Sequence, residues 1–292
     1  MKMMQKAAPV FVTGAAILWG ILVVFIRNLS SAGMSSMEIV ALRVYGSAMI
    51  LVLALLLYNR KLMRIKLKDS WCFVGTGVIS IVFFSYCYFR NVTVSSVAVS
   101  SILMYTSPIW VMLLSRLVFA ERIGKRKVVA LFMAVLGCTL VSGIAGGIEK
   151  ISMEGILLGL GSGIGYGLYS IFGRLALEKG YHPLTVSAYT FLFACVGVLP
   201  FINAEILIGK MNSVSGLWGW AFAMVFFSTC LSFTLYTMGL KYLEPGKAAV
   251  LATLEPIVST VVGVVLYQEA LTGVMLVGIT LVLAASVLIS KK

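Results

Sequence analysis

One carboxylate and one guanidinium lie deep inside apolar stretches of the chain. Glu255 lies about eight residues into its stretch, roughly 12 Å deep at 1.5 Å per residue, and Arg43 lies about seven residues into another. An ionised group in an apolar medium is costly, so such residues usually face a cavity or a partner. Glu255 can hold an ammonium group or exchange a proton. Arg43 can bind a carboxylate through two parallel hydrogen bonds.

Each of these two charges also has a structural interpretation. Glu255 precedes Pro256, which cannot donate a backbone hydrogen bond to the preceding turn. The carboxyl group can therefore act as a structural cap that satisfies a local backbone or hydroxyl group. Arg43 can form an internal ion pair with Glu38 or Glu255 that holds helices together. Both interpretations remain open at the level of sequence.

Aromatic side chains can form walls around such a site. Tyr and Trp combine an apolar face with a polar tip, and a cation can lie over a ring. The alternative is ordinary packing or an interfacial belt, above all for Tyr86 and Tyr236 near the ends of apolar stretches. The candidate substrate-binding residues are Trp19, Arg43, Tyr105, Tyr166, Tyr169 and Glu255. The candidate coupling or hinge residues are Glu255, Pro108 and Pro256.

The chain repeats itself after about half its length. Pro108 and Glu121 recur 148 residues later as Pro256 and Glu269. Further matches at an offset of 147 or 148 pair Gly14, Trp19-Gly20, Phe25, Arg27, Gly33 and Tyr88 with Gly161, Tyr166-Gly167, Phe172, Arg174, Gly180 and Tyr236. This pattern predicts a chain built twice from one unit.

The two units are predicted to span residues 1–146 and 152–292. They are not equivalent, because Tyr166 stands where Trp19 does and Thr190 stands where Arg43 does. A central site between the two units should therefore be asymmetric.

The composition places both units in a lipid bilayer. The 292 residues are 61% hydrophobic and 11% charged, with a mean hydropathy of +1.05, whereas soluble domains average about 25% charged residues. A spanning helix needs about 20 mostly apolar residues and satisfies its own backbone groups in lipid. Ten spans are predicted, at 10–25, 37–58, 71–89, 97–119, 128–144, 156–175, 184–202, 217–240, 248–267 and 271–289.

The predicted fold is an all-α integral membrane protein with ten transmembrane helices. Five helices per unit is an odd number, so the second unit enters the membrane upside down relative to the first. Such inverted repeats are typical of secondary transporters, which hold their substrate between the halves.

The basic residues predict the orientation. The chain has 23 Lys and Arg and a net charge of +13. When the connections are sorted by alternate sides, Arg27, Arg90, Lys150 and Lys210 fall on one side and most of the others on the opposite side. The positive-inside rule then places both termini in the cytoplasm. The protein is expected to be a multi-pass protein of the cell inner (plasma) membrane. This distribution argues against a nucleic-acid partner.

Short motifs recur in order along both units. They are Leu18-Trp19-Gly20, Leu42-Arg43, Tyr105-Thr106-Ser107-Pro108, Phe119-Ala120-Glu121, Leu254-Glu255-Pro256 and Tyr267-Gln268-Glu269. In order, spacing and duplication they resemble the drug/metabolite transporter superfamily, of the ten-helix EamA type. The resemblance covers nearly the whole chain. It implies transport of small metabolites, amino acids among them, and leaves the substrate open.

The prediction is a secondary transporter that exports amino acids or related compounds by alternating access, with no cofactor. Its partners are a small-molecule substrate and the lipid bilayer, while proton coupling and a homodimer are left open. The alternative is an intramembrane enzyme acting on a lipid or lipid-linked substrate. That activity needs clustered nucleophiles, bases or metal ligands, and the sequence offers neither such a motif nor an ATP-binding loop.

Two further features have mainly structural interpretations. Glu121 and Glu269 lie at short turns and are expected to cap the next helix, with Lys125 or backbone amides as partners. The basic loop from Arg60 to Lys68 is expected to meet anionic headgroups.

Overall fold

The computed structural model describes residues 2–142 and 152–290. Within these ranges the chain forms helices joined by short connections, without a β-strand. The prediction of an all-α membrane protein is confirmed. The predicted division between the units falls on the segment 143–151, which lies outside the described residues.

Nine of the described helices are long and apolar enough to cross a membrane. A further helix of 17 residues lies between the fourth and the fifth of them and ends close to the segment outside the described ranges. Numbered along the chain, the ten are α1 (Met3–Ser31), α2 (Ser36–Tyr58), α3 (Leu67–Val94), α4 (Val97–Phe119), α5 (Lys125–Val141), α6 (Met153–Glu178), α7 (Pro183–Phe201), α8 (Leu217–Leu240), α9 (Pro245–Tyr267) and α10 (Gly273–Ser290). Their number matches the prediction, with α5 the shortest.

Two membrane helices are broken at equivalent places. The segments are Val97–Met104 and Ser107–Phe119 in α4, and Pro245–Ala252 and Glu255–Tyr267 in α9. Every bound in α9 is 148 residues beyond its counterpart in α4, which is the offset of the sequence repeat. Pro108 and Pro256 lie in the first turn of the second segments, where the missing N–H leaves no helical hydrogen bond unmade.

Two other helices share a different irregularity. α3 contains the π-helical stretch Gly75–Val82, and α8 contains the π-helical stretch Phe226–Leu231. A π stretch forms i→i+5 hydrogen bonds and changes the phase of the side chains that follow it. Both stretches lie near the middle of their helices, so they help to set which side chains face the interior.

A close approach of α1 to α9 positions the start of the second α9 segment. A Cβ atom on Gly20 would lie 2.4 Å from the Cβ of Val258 and 2.8 Å from the carbonyl oxygen of Glu255. In the other unit, a Cβ atom on Gly167 of α6 would lie 2.9 Å from the Cγ2 of Val111 of α4. Glycine at both places lets the helices cross where the second segments begin.

The two units are intertwined. α1 packs on α8 and α3 packs on α6, which is the same contact made twice with the units exchanged. α2 packs on α7, and α5 packs mainly on α10. This reciprocal pattern is expected of two repeats around one internal pseudo-twofold axis.

The connections between the helices fall on two faces of the bundle. We call the face with the turns at 59–66, 120–124, 179–182 and 241–244 the basic face, and the other, with the turns at 32–35, 95–96, 202–216 and 268–272, the opposite face. That the basic face lies in the cytoplasm stays a prediction.

Candidate functional site

A cavity lies between the two units near the middle of the bundle. It holds about 660 Å³ of empty space, its opening included. The lining comes from α1, α2, α3, α6, α8 and α9. It consists of Trp19, Leu22, Arg43, Ser80, Ile81, Phe84, Ser85, Tyr166, Tyr169, Ser170, Phe233, Tyr236 and Glu255.

Glu255 is the first residue of the second α9 segment and lines this cavity. Tyr166 donates a hydrogen bond from its hydroxyl to Oε2 of Glu255 at 2.9 Å. Within residues 2–142 and 152–290, Oε1 has no hydrogen-bond partner, and the carboxylate does not bond to the backbone of α9. The local-cap interpretation is therefore not supported. Helix N–H groups favour an anion at this position, and one carboxylate oxygen stays available to a ligand.

Arg43 lines the same cavity with most of its guanidinium unpaired. Its Nε donates a hydrogen bond to Oγ1 of Thr229 at 3.2 Å, and its two Nη atoms have no partner in the described parts of the chain. The predicted alternative of an ion pair with Glu38 is wrong, because Lys210 donates to both oxygens of Glu38 at 2.9 Å. Among the described residues Arg43 also forms no ion pair with Glu255.

Aromatic rings form one wall of the cavity. The ring of Trp19 lies 6.2 Å from that of Tyr166, 5.1 Å from that of Phe233 and 5.2 Å from that of Tyr236, centroid to centroid. Tyr169 is also part of this wall, with its ring 5.0 Å from that of Phe233. These rings provide an apolar surface beside the two charges.

Hydrogen bonds hold the tyrosines of this wall in place. The hydroxyls of Tyr169 and Thr237 are 2.7 Å apart, and those of Ser170 and Tyr236 are also 2.7 Å apart. Tyr236 is only 3% exposed, so its interpretation as an interfacial residue is wrong. Tyr86, the other tyrosine considered for that role, is exposed.

The structure brings five of the six candidate substrate-binding residues together and leaves Tyr105 apart. Tyr105 is buried beside the break in α4 and packs with Met104, Cys138 and Ile257 rather than lining the cavity. Pro108 and Pro256 lie at the two helix breaks and likewise do not line it. A hinge function at these prolines stays a prediction.

Sequence reasoning missed the polar side chains of α3. Ser80 and Ser85 both line the cavity although they are five residues apart. In a regular α-helix this spacing points the two side chains in different directions, but the π stretch Gly75–Val82 ends between them and changes the phase. The sequence Gly-Thr-Gly at 75–77 is the only local signal of the irregularity.

Fold and cavity together define a class of protein. Paired, broken helices in two repeats surround a cavity with one acid and one base, which is the architecture of a membrane transporter. In the part of the chain that the structure describes, no group of three His, Cys, Asp or Glu side chains could hold a metal ion.

The family follows from comparison with known proteins. The model of the EamA-like transporter family matches residues 6–143 and again 153–291. The chain therefore belongs to the EamA-like transporter family, in agreement with the resemblance to the drug/metabolite transporter superfamily. A solved crystal structure superposes with a TM-score of 0.80 at 18% identity, over 97% of this chain and 96% of the other, so the fold is shared.

Curated relatives match most of the chain at low identity. An uncharacterized transporter of Archaeoglobus fulgidus is 26% identical over 92% of this chain and 91% of its own length. The threonine/homoserine exporter RhtA of Salmonella typhimurium is 25% identical over 69% of this chain and 65% of its own. A probable amino-acid metabolite efflux pump of the same species is 23% identical over 63% and 64%.

Proposed function

We propose that this transporter exports amino acids or closely related zwitterions by alternating access. Arg43 binds the substrate carboxylate and Glu255 binds the substrate ammonium group. One observation carries the proposal: two opposite charges with unpaired hydrogen-bonding atoms face the same cavity. An amino acid presents a complementary pair of charges on one carbon atom.

The rest of the lining suits the remainder of such a substrate. The aromatic wall offers an apolar surface to a side chain. Ser80, Ser85 and Ser170 offer hydroxyl groups, which suit a polar side chain better than a bulky apolar one. The exporters of amino acids among the relatives support this class of substrate, although an identity near 25% does not select one amino acid.

Alternating access uses the broken helices. Each second segment, Ser107–Phe119 or Glu255–Tyr267, can tilt about its break without disrupting hydrogen bonds in the first segment. Glu255 lies directly at the α9 break, so a tilt of that segment moves the carboxylate relative to Arg43. Pro108 and Pro256 then act as hinges.

Glu255 has a second role in this proposal, as the group that couples transport to protons. A carboxylate that releases the substrate ammonium can take up a proton in its place, and exchange of the two would drive export in the plasma membrane. Orientation with both termini in the cytoplasm follows the charge distribution. The oligomeric state, including a homodimer, is a separate prediction.

Counterflow in proteoliposomes tests the substrate site. Vesicles loaded with unlabelled threonine or homoserine should accumulate the labelled compound, and Arg43→Gln and Glu255→Gln should each slow exchange on the order of tenfold to a hundredfold, as expected for losing a charge-assisted hydrogen bond. Glu154→Gln is the matched control, because it removes a carboxylate from an exposed pair with Arg90. Exchange that survives both cavity substitutions would reject the zwitterion site.

The same vesicles separate substrate binding from coupling. Amines that depend on Glu255 alone, or acids that depend on Arg43 alone, would show a different substrate class. Under an imposed pH gradient, Glu255→Gln should no longer respond to the gradient. An undiminished response would assign coupling to another group.

A further inference from the structure

A second recess lies on the basic face, well away from the cavity. It holds about 540 Å³ of empty space between the loop that follows α2 and the turn that joins α6 to α7. Its lining consists of Lys61, Leu62, Arg64, Lys66, Lys179, Gly180, Tyr181, His182 and Thr185. One wall comes from each repeat, so the recess, which we call the basic groove, lies on the boundary between the two units.

Hydrogen bonds across that boundary build the groove. The backbone N–H of Lys66 donates to the hydroxyl of Tyr181 at 3.0 Å. That hydroxyl donates to Oδ2 of Asp69 at 2.8 Å, and Lys179 donates from Nζ to Oδ1 of Asp69 at 2.8 Å. The loop is therefore held against the second unit, and the groove exists before any ligand arrives.

The groove carries uncompensated positive charge. Asp69, an acid that contacts the groove residues Lys179 and Tyr181, is 4% exposed and paired with Lys179. Lys61, Arg64 and Lys66 are exposed, and within residues 2–142 and 152–290 their side chains have no hydrogen-bond or ion-pair partner. Three free cations thus border a recess whose own acid is already neutralised.

The remaining titratable side chains do not offset this charge. The hydrogen bond from Lys179 to Asp69 raises the pKa of Lys179, which keeps the ammonium charged. Burial and then the charge of Lys241 lower the pKa of His182 below its usual value, so His182 is neutral near pH 7. Burial and the contact with Asp69 raise the pKa of Tyr181, so its phenol stays neutral.

Large exposed apolar side chains lie close in sequence to the groove residues. Leu57, Tyr58 and Leu67 are 79%, 72% and 88% exposed, and Trp71 at the start of α3 is 46% exposed. Tyr58 contacts the groove residue His182, with ring centroids 6.3 Å apart. Exposed aromatic and aliphatic groups beside basic residues are typical of the zone where headgroups meet acyl chains. A small soluble anion has no apolar part that could contact these side chains.

We propose that the basic groove binds an anionic phospholipid of the surrounding bilayer. The phosphate lies among Lys61, Arg64 and Lys66, and the acyl chains lie over the exposed side chains of Leu57, Tyr58 and Trp71. Basic residues near an anionic leaflet each contribute attraction, which falls with salt.

Native mass spectrometry of the detergent-solubilised protein tests the site by counting bound lipids. During titration with phosphatidylglycerol or phosphatidylcholine, the first phosphatidylglycerol should bind much more tightly than phosphatidylcholine. The variant Lys61→Gln/Arg64→Gln/Lys66→Gln should weaken that first binding on the order of a hundredfold at low salt. The matched control is Lys6→Gln/Arg122→Gln/Lys125→Gln, which removes the same charge from the basic face away from the groove.

The outcomes separate a site from a general charge effect. Loss confined to the groove variant, together with retention in Lys61→Arg/Lys66→Arg, supports the proposal. Equal loss in the control variant, or no preference for phosphatidylglycerol, overturns it. Inorganic phosphate and glycerophosphoglycerol provide a third arm: if either displaces the lipid at comparable concentration, the site recognises a soluble anion and the lipid assignment fails. Circular dichroism shows whether each variant is folded.

Discussion

Glu121 and Glu269 occupy the same place in the two repeats but lie in different surroundings. Each follows a residue in the left-handed conformation, Ala120 with φ 53° and Gln268 with φ 55°. Both backbone N–H groups bond six residues back along the chain, at 3.4 and 3.2 Å. The backbone is thus duplicated to within small differences. What differs is the set of side chains that each carboxylate meets.

At the basic face, Glu121 joins a buried cluster that connects the units. Lys127 donates from Nζ to Glu121 at 2.7 Å and lies 3.0 Å from a carboxylate oxygen of Glu244. Ser115 donates its hydroxyl to Glu121, and the backbone N–H of Gly246 donates to it at 3.4 Å. The side chains of Glu121 and Lys127 are only 2% and 11% exposed. We call these five residues the basic-face cluster.

At the opposite face, Glu269 forms a single exposed ion pair with Arg27, and the two side chains are 48% and 42% exposed. Arg27 also lies over the ring of Tyr267, 4.1 Å from its centroid. The residue equivalent to Lys127 is Met275, and the residue equivalent to Ser115 is Gly263. The same turn therefore forms a largely buried network at the basic face and a solvated ion pair at the opposite face.

The largest effect is expected when Lys127 at the basic face is replaced by methionine, the residue type at the equivalent position of the opposite face. Lys127→Met leaves Glu121 buried without its cation and should lower the free energy of unfolding by about 3 kcal/mol. Arg27→Met at the opposite face should cost less than about 1 kcal/mol, because exposed pairs contribute little. Unfolding in detergent, followed by circular dichroism, measures both. The additional change Glu121→Gln should restore part of the loss, and equal costs at the two faces would remove the distinction.

A shift in conformation is expected when the acids of the basic-face cluster are neutralised. Glu121→Gln/Glu244→Gln keeps the shapes but weakens the bonds between the units, so the basic face should open more often, on the order of tenfold. In a cysteine-free background, a cysteine at Leu240, which is fully buried, should then react faster with a membrane-impermeant maleimide. Arg27→Gln is the control and should leave that rate unchanged. If Arg27→Gln also accelerates the maleimide reaction, opening does not depend on the basic-face cluster.

A smaller gain is expected from moving the cluster lysine to the opposite face. Met275→Lys places an ammonium group at the position equivalent to Lys127, in the same unit as Glu269. Since the pair would remain exposed, it should stabilise the fold by only a few tenths of a kcal/mol up to about 1 kcal/mol. The thermal midpoint at low and high salt measures this gain, which should disappear at high salt. A gain of several kcal/mol would show that the opposite face can be sealed in the same way.

The smallest effect concerns pH. Burial alone would raise the pKa of Glu244, but hydrogen bonds from Lys247 and Lys127 lower it below its usual value of 4.5. The folded carboxyl group binds protons less tightly than the unfolded one, so it stabilises the fold above pH 4.5, and this contribution is lost as the pH falls through the folded value. Glu244→Gln should flatten the decline of the thermal midpoint as the pH falls below about 5. Glu205→Gln, which removes an exposed acid, should leave the decline unchanged.

The repeat and the apolar spans were predictable because they are local in sequence. The offset of 148 residues identified the two units and placed Pro108 and Pro256 at equivalent breaks. Arg43, Glu255 and the aromatic candidates could be singled out because polar groups are rare in apolar stretches. That five of the six candidates line one cavity agrees with a site between the repeats.

The pairing of charges was not predictable because it depends on contacts between distant segments. Lys210 reaches Glu38 from the helix Ala204–Ser213, across 172 residues of chain. Glu121 was expected to bond Lys125 or backbone amides. The backbone N–H of Gly246 does donate to it, but the lysine partner is Lys127, since it lies on the side of α5 that faces Glu244. A π stretch likewise leaves no periodic signal in a short window, so Ser80 and Ser85 were missed.

The pairing of α5 with α10 has a practical consequence. Neither helix contributes a residue to the cavity lining or to the basic groove. Phe132 and Val277 on these helices are 68% and 55% exposed, so spin labels or fluorophores there would disturb neither site. Distances from such labels to labels on the segment Glu255–Tyr267 would test the tilt proposed for that segment.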